Sequence, residues 1–80
     1  MKRILEFIKL NIHMMYREAK NAKEAGQDLI VIIDAQTQLP VIMQYNRISE
    51  SPKDTLRIKT EFISSMENFV EITNYYTHKS

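Results

Sequence analysis

Between Asp28 and Asp34 the chain runs through five consecutive aliphatic residues, Leu29, Ile30, Val31, Ile32 and Ile33. A strand wetted on one side alternates apolar with polar side chains. This one is apolar on both faces, with Leu29, Val31 and Ile33 on one and Ile30 and Ile32 on the other. It must therefore be covered twice or lie inside a sheet. That demand is heavy for 80 residues, because a chain of this size buries only roughly 60–65% of the surface its unfolded form exposes. Small domains usually gain support from disulfides, a structural metal or a second subunit. With no cysteine in the chain, disulfides, thiolate metal sites and cysteine nucleophiles are all removed. A second subunit is the support that remains.

The flanking segments predict helices. Residues 2–25 contain no glycine or proline and end in alanines and lysines, which favour helix. Leu5, Ile8, Ile12, Met15, Ala19 and Ala22 recur at helical spacing, opposite a stripe of Glu6, Lys9, His13, Arg17, Lys20 and Glu24. Gly26 stands where such a helix would stop in the left-handed conformation. Residues 28–34 and 39–49 then predict a β-hairpin across "DAQTQ", with Gln38 at the turn position that commonly takes a positive φ. Ser51, Pro52 and Asp54 form a helix-start signal, and Ile58, Phe62, Met66, Phe69, Val70, Thr73 and Tyr76 keep a helical period behind it. A competing reading makes "TLRIKTEF" a third strand, because Leu56, Ile58, Thr60 and Phe62 alternate.

These elements predict an α+β fold in one domain spanning residues 1–80: a small α-β-β-α arrangement of long helix, hairpin and long helix, completed by a homodimer. The alternative is an α-β-β-β-α monomer. Two arguments favour the dimer. A third strand placed beyond residues 39–49 would make the more polar strand central, whereas a symmetry mate could pair Leu29, Ile30, Val31, Ile32 and Ile33 with their own copy. In addition, a 24-residue helix spans roughly 36 Å, against roughly 23 Å for a seven-residue strand, so apolar residues would overhang the hairpin.

The charge balance narrows function. Eleven Lys and Arg nearly cancel ten Asp and Glu, whereas a protein that relies on phosphate contacts carries a basic excess. The excess here is local: residues 1–26 sum to +3, and Arg17, Lys20 and Lys23 concentrate it as a candidate partner or nucleic-acid surface. The bland alternative is a helix end whose lysines favour its own dipole. Tyr75 and Tyr76 are candidate binding tyrosines, since paired tyrosines offer large contact area at low entropic cost.

Enzyme signatures are missing. One glycine is too few for a phosphate-cradling loop, and neither a nucleophile elbow nor a His-Glu-x-x-His zinc motif occurs. Asp34 and Asp28 suit turn and strand-entry roles. His13 sits between Lys9 and Arg17, which disfavour a cation there. Glu67, Glu71, Asn74 and His78 line one helix side, as a solvated face does.

No catalytic residue, cofactor or metal is expected. The expectation is a small non-enzymatic, cytoplasmic interaction protein, a regulator, adaptor or inhibitor of a protein partner, without a membrane segment. Its composition is compatible with a phage or mobile-element origin. The alternative function is a dimeric nucleic-acid-binding regulator that uses the basic end of the first helix. The α-β-β-β-α order is similar to that of double-stranded-RNA-binding domains, but their basic, glycine-containing second-helix start is absent, and order alone carries no function.

Overall fold

The apolar run is the middle of the molecule. The computed structural model describes residues 2–79, with side chains as far as Tyr76. Its elements are α1 (Lys2–Leu10), α2 (Ile12–Glu24), β1 (Asp28–Ile33), β2 (Pro40–Tyr45), β3 (Leu56–Ile58), a 3-10 turn (Thr60–Phe62) and α3 (Met66–Lys79). Among the described residues these make a small α+β domain of three α-helices and one three-stranded antiparallel sheet, in the order β2-β1-β3.

The third strand corrects the two-stranded expectation. β3 joins the free edge of β1, not that of β2, so the chain crosses from one edge of the sheet to the other through residues 46–55. β1 is thereby central, which satisfies its two-faced apolar pattern within one chain. Pairing of Leu29, Ile30, Val31, Ile32 and Ile33 with their own copy is also corrected: β2 lines β1 from Asp28 to Ile33, and β3 occupies the other edge opposite Leu29, Ile30 and Val31.

The start signal at residues 51–54 does not launch a helix. Thr55 Oγ1 instead donates to the Pro52 carbonyl at 2.8 Å, and Asp54 takes φ +59, a left-handed conformation that aspartate tolerates better than most residues. Extended Leu56 and Ile58 are buried against the core and supply partners to the β1 backbone. A helix there would leave that edge unpaired, so tertiary demand overrides local preference.

α3 starts at a different cap. Ser65 Oγ accepts the Asn68 N–H at 3.1 Å, and Asn68 Oδ1 accepts the Ser64 N–H at 2.9 Å, a reciprocal arrangement close to a capping box.

The predicted first helix is broken in two at Asn11, whose φ of −122 and ψ of 36 leave the helical region. Its side-chain Nδ2 donates to the Phe7 carbonyl at 2.9 Å, an alternative bond of the kind that asparagine offers a helix backbone. The break removes the overhang, because neither piece has the length of the continuous rod. Gly26 ends α2 as expected, with φ +70. Gln27 N–H reaches the Ala22 carbonyl at 2.9 Å and Gly26 N–H the Lys23 carbonyl at 3.0 Å, the paired bonds of a Schellman motif.

One face of the sheet carries the core. Ile4 and Ile8 of α1, Met15, Ala19 and Ala22 of α2, and Phe69 of α3 pack with Leu29, Val31, Leu56, Ile58 and Ile63. The alanines bring the α2 backbone close to β1, whereas Phe69 fills the larger space. No helix among the described residues is long and apolar enough to cross a membrane.

Candidate interaction surface

The outer sheet face holds a polar cluster. Asp28 is 3% exposed and receives Arg57 Nε on Oδ2 at 2.8 Å and the Thr60 N–H on Oδ1 at 3.4 Å. Arg47 Nε lies 3.4 Å from Oδ1, close enough for an ion pair but misdirected for a hydrogen bond. Arg47 Nη2 instead donates to Thr60 Oγ1 at 3.0 Å. The Arg57 fork continues outward to the Asn46 carbonyl at 2.7 Å and to Ser51 Oγ at 3.1 Å, and also reaches the Ser49 carbonyl. Its guanidinium carbon stands 5.6 Å from the Tyr45 ring centre.

Tyr45 and Arg57 sit on strands either side of β1, so the Arg57 side chain reaches across the central strand on the face that also carries Ile30, which is fully buried. Each guanidinium nitrogen of Arg57 is engaged within the fold. This cluster is a clamp for the crossing segment, and it leaves little for a ligand.

A groove lies on the other side of the domain. Tyr16, Lys20, Lys23 and Glu24 of α2 face Ile63 and Ser64, which link the 3-10 turn to α3, around a space of about 360 Å³. Helical spacing puts Tyr16, Lys20 and Lys23 on one stripe of α2. Tyr16 packs its ring 5.7 Å from that of Phe69 at 50°, and Lys20 Nζ stands 5.5 Å from the Tyr16 ring centre. Lys23 Nζ donates to the Ile63 carbonyl. Phe62, next to Ile63, is 65% exposed. The groove thus offers an apolar floor and charges of both signs, and the exposed Phe62 adjoins its Ile63 in the chain.

Of the residues singled out in the sequence, Lys20 and Lys23 meet in this groove, whereas Arg17 is exposed on α2 outside its lining. Ile63, Ser64 and Phe62 were missed. They come some 40 positions after α2, and the sequence signal for them, the cap at Ser65, was hidden by the stronger-looking one at Ser51. Tyr75 and Tyr76 lie in α3 with their rings 5.9 Å apart, edge to face; Tyr75 is exposed and Tyr76 packs against the core. They do not line the groove.

His13 is exposed, as are Glu67, Glu71 and Asn74, while the His78 side chain lies outside the described residues. Among the described residues no three His, Cys, Asp or Glu side chains gather as metal ligands do. Comparison of the chain with protein-family models, curated proteins and solved structures returns no match.

Proposed function

We propose that this chain is a non-enzymatic interaction protein whose partner is another protein, bound along the groove between α2 and residues 62–64. The observation that carries this reading is the conjunction of an apolar floor, Tyr16 and Ile63, with the protruding Phe62 ring and the flanking Lys20. Aromatic side chains beside a concave apolar surface are the usual anchors of protein interfaces. Lys20 is exposed, with its ammonium beside the Tyr16 ring, so the matching partner segment carries an apolar residue for the floor and a carboxylate for Lys20. Regulation, adaptation or inhibition of that partner is the role consistent with such a surface.

Nucleic acid is the less favoured partner. Residues 16–24 sum to only +1, because Glu18 and Glu24 offset two of the three basic side chains. Lys23 is moreover already committed to the Ile63 carbonyl. A phosphate-tracking surface needs several uncommitted cations.

The test is site-specific photo-crosslinking in cells. A photoreactive phenylalanine at position 62 should capture one protein, the same probe at Gln36 on the hairpin turn should not, and Lys20→Glu should reduce the yield at position 62. Equal capture at both sites would remove the groove from consideration. Tight binding to mixed-sequence RNA or DNA at low salt would shift the assignment to the nucleic-acid alternative, because the electrostatic term is largest there.

A further inference from the structure

β2 is an open edge. Among the described residues it pairs with β1 on one side only, and no charged residue occurs from Leu39 to Tyr45. Natural edge strands are commonly blunted by charge, by proline or by a cover. Here the single proline, Pro40, stands at the first position of the strand. Leu39, Val41 and Met43 share the outer face and are 59%, 38% and 44% exposed.

The backbone pattern of this edge follows from the hairpin. Asp34 N–H donates to the Leu39 carbonyl at 2.9 Å, which makes 34 and 39 a hydrogen-bonded pair. Such pairs recur at every second position of an antiparallel ladder, so Val41, Met43 and Tyr45 bond to β1. Ile42 and Gln44 therefore turn their N–H and C=O groups to the open side.

We propose that a second copy of this chain occupies that side, pairing β2 with β2 antiparallel about a two-fold axis at Met43. Any axis centred on a residue matches outward groups with outward groups, and the central choices are residues 41 to 44. A centre at Val41 sets Ile42 against Pro40 on both sides of the axis and leaves Gln44 facing residue 38, outside the strand. A centre at Ile42 sets Gln44 against Pro40, which has no N–H to give, and loses a bond on each side of the axis. A centre at Gln44 sets Ile42 against Asn46, whose carbonyl already accepts from Arg57 at 2.7 Å and from Ser49 at 3.2 Å. The centre at Met43 sets Ile42 against Gln44 twice, giving four backbone hydrogen bonds in which every outward N–H and C=O of residues 42 and 44 is matched, whereas the centre at Ile42 leaves both Gln44 carbonyls facing a proline. It also places Pro40 opposite Asn46, so the missing donor meets a carbonyl that is already satisfied.

The uncharged strand brings no like charges together, and the two three-stranded sheets become one of six. An edge of six residues lies at the small end of specific interfaces, so the dimer population should depend on concentration. The groove is lined by residues of α2 and by Ile63 and Ser64, none of them in β2, so pairing along β2 uses none of its lining.

At this centre the two Met43 residues face each other as a non-hydrogen-bonded pair, with Cα atoms about 4.5 Å apart, within the reach of a disulfide. The chain has no native cysteine, so Met43→Cys introduces a single thiol. Under mild oxidation it should cross-link to a covalent dimer, whereas Val41→Cys, displaced along the strand from its own copy, should remain monomeric. The unmodified chain should show a mass that rises with concentration toward twice 9.5 kDa. Gln44→Pro removes an outward N–H without touching the β1 ladder, and should abolish that rise with the far-ultraviolet spectrum unchanged. Should Gln44→Pro fail to fold, the cysteine pair decides the matter without any backbone change. A mass of one chain at all concentrations overturns the proposal and leaves the edge to a different strand. A dimer that persists in folded Gln44→Pro, or that cross-links equally through Val41→Cys, overturns it in favour of another surface.

Discussion

Arg57 Nε and Asp28 Oδ2 stand 2.8 Å apart on adjacent strands, with both side chains on the outer face of the sheet. The Asp28 side chain is 5% exposed and that of Arg57 16%, so solvent screens the pair little. Removing one member of a buried pair leaves the other desolvated and costs about 3–5 kcal/mol. Because Arg47 stays near Asp28, Arg57→Ala should sit at the lower end, about 3 kcal/mol, in the urea midpoint. Arg57→Lys should recover only part of this, since an ammonium cannot reach Asp28, Asn46, Ser49 and Ser51 together as the fork does. A loss below about 1 kcal/mol would show that the cluster behaves as an ordinary surface pair.

Ser65 and Asn68 define the second prediction. Ser65→Ala should cost about 1 kcal/mol by orphaning the Asn68 N–H. In a domain of this size that lowers the thermal midpoint by roughly 4–8 °C. Ser65→Asp, which keeps an acceptor at the cap, should restore most of it. Ser51→Ala, at the signal the fold does not use as a cap, should leave α3 content unchanged by circular dichroism.

The hairpin turn supplies the pH dependence. The Thr37 N–H and hydroxyl each donate to Asp34 Oδ2 at 2.9 Å, and the backbone bond first, then the hydroxyl, hold the Asp34 carboxyl below its usual value. A pKa lowered by folding contributes stability that is present above the unfolded value and lost as pH falls through the folded one. The advantage of the wild-type chain over Asp34→Asn should therefore persist at neutral pH and fade below about pH 4. Thermal midpoints of the two chains across pH 2 to 7 would measure it, and a gap constant across that range would refute it.

Much of the layout was legible from residue patterns. The two-faced run at 29–33 required a central or doubly covered strand, Gly26 marked a helix end, and Gln38 was the turn position for a positive φ, observed at 61. The residues that complete the fold were not legible, because their cause is long-range. Nothing local to Leu56-Arg57-Ile58 says that β1 has an edge to fill, and the helix signal at residues 51–54 argued the other way. Asn11 looked like an ordinary position on a continuous helix because its break serves the fit between helix and sheet. Of the candidate groove, Lys20 and Lys23 were visible as charge, but its far wall is Ile63 and Ser64, which only the fold brings opposite them. Asp28, read as a strand-entry residue, proved to anchor two arginines 19 and 29 positions away.

The strand order β2-β1-β3 also sets an order in time. β1 meets β2 across a short turn, but it meets β3 between residues 25 to 29 positions apart, and closing the longer loop costs more chain entropy. The hairpin therefore forms ahead of the full sheet, and every newly made chain passes through a stage in which Leu29, Ile30 and Val31 are bare along one side. β3, only three residues long, is what ends that stage. The vulnerability of this protein to mispairing thus lies less in its finished surface than in the interval before its shortest strand arrives.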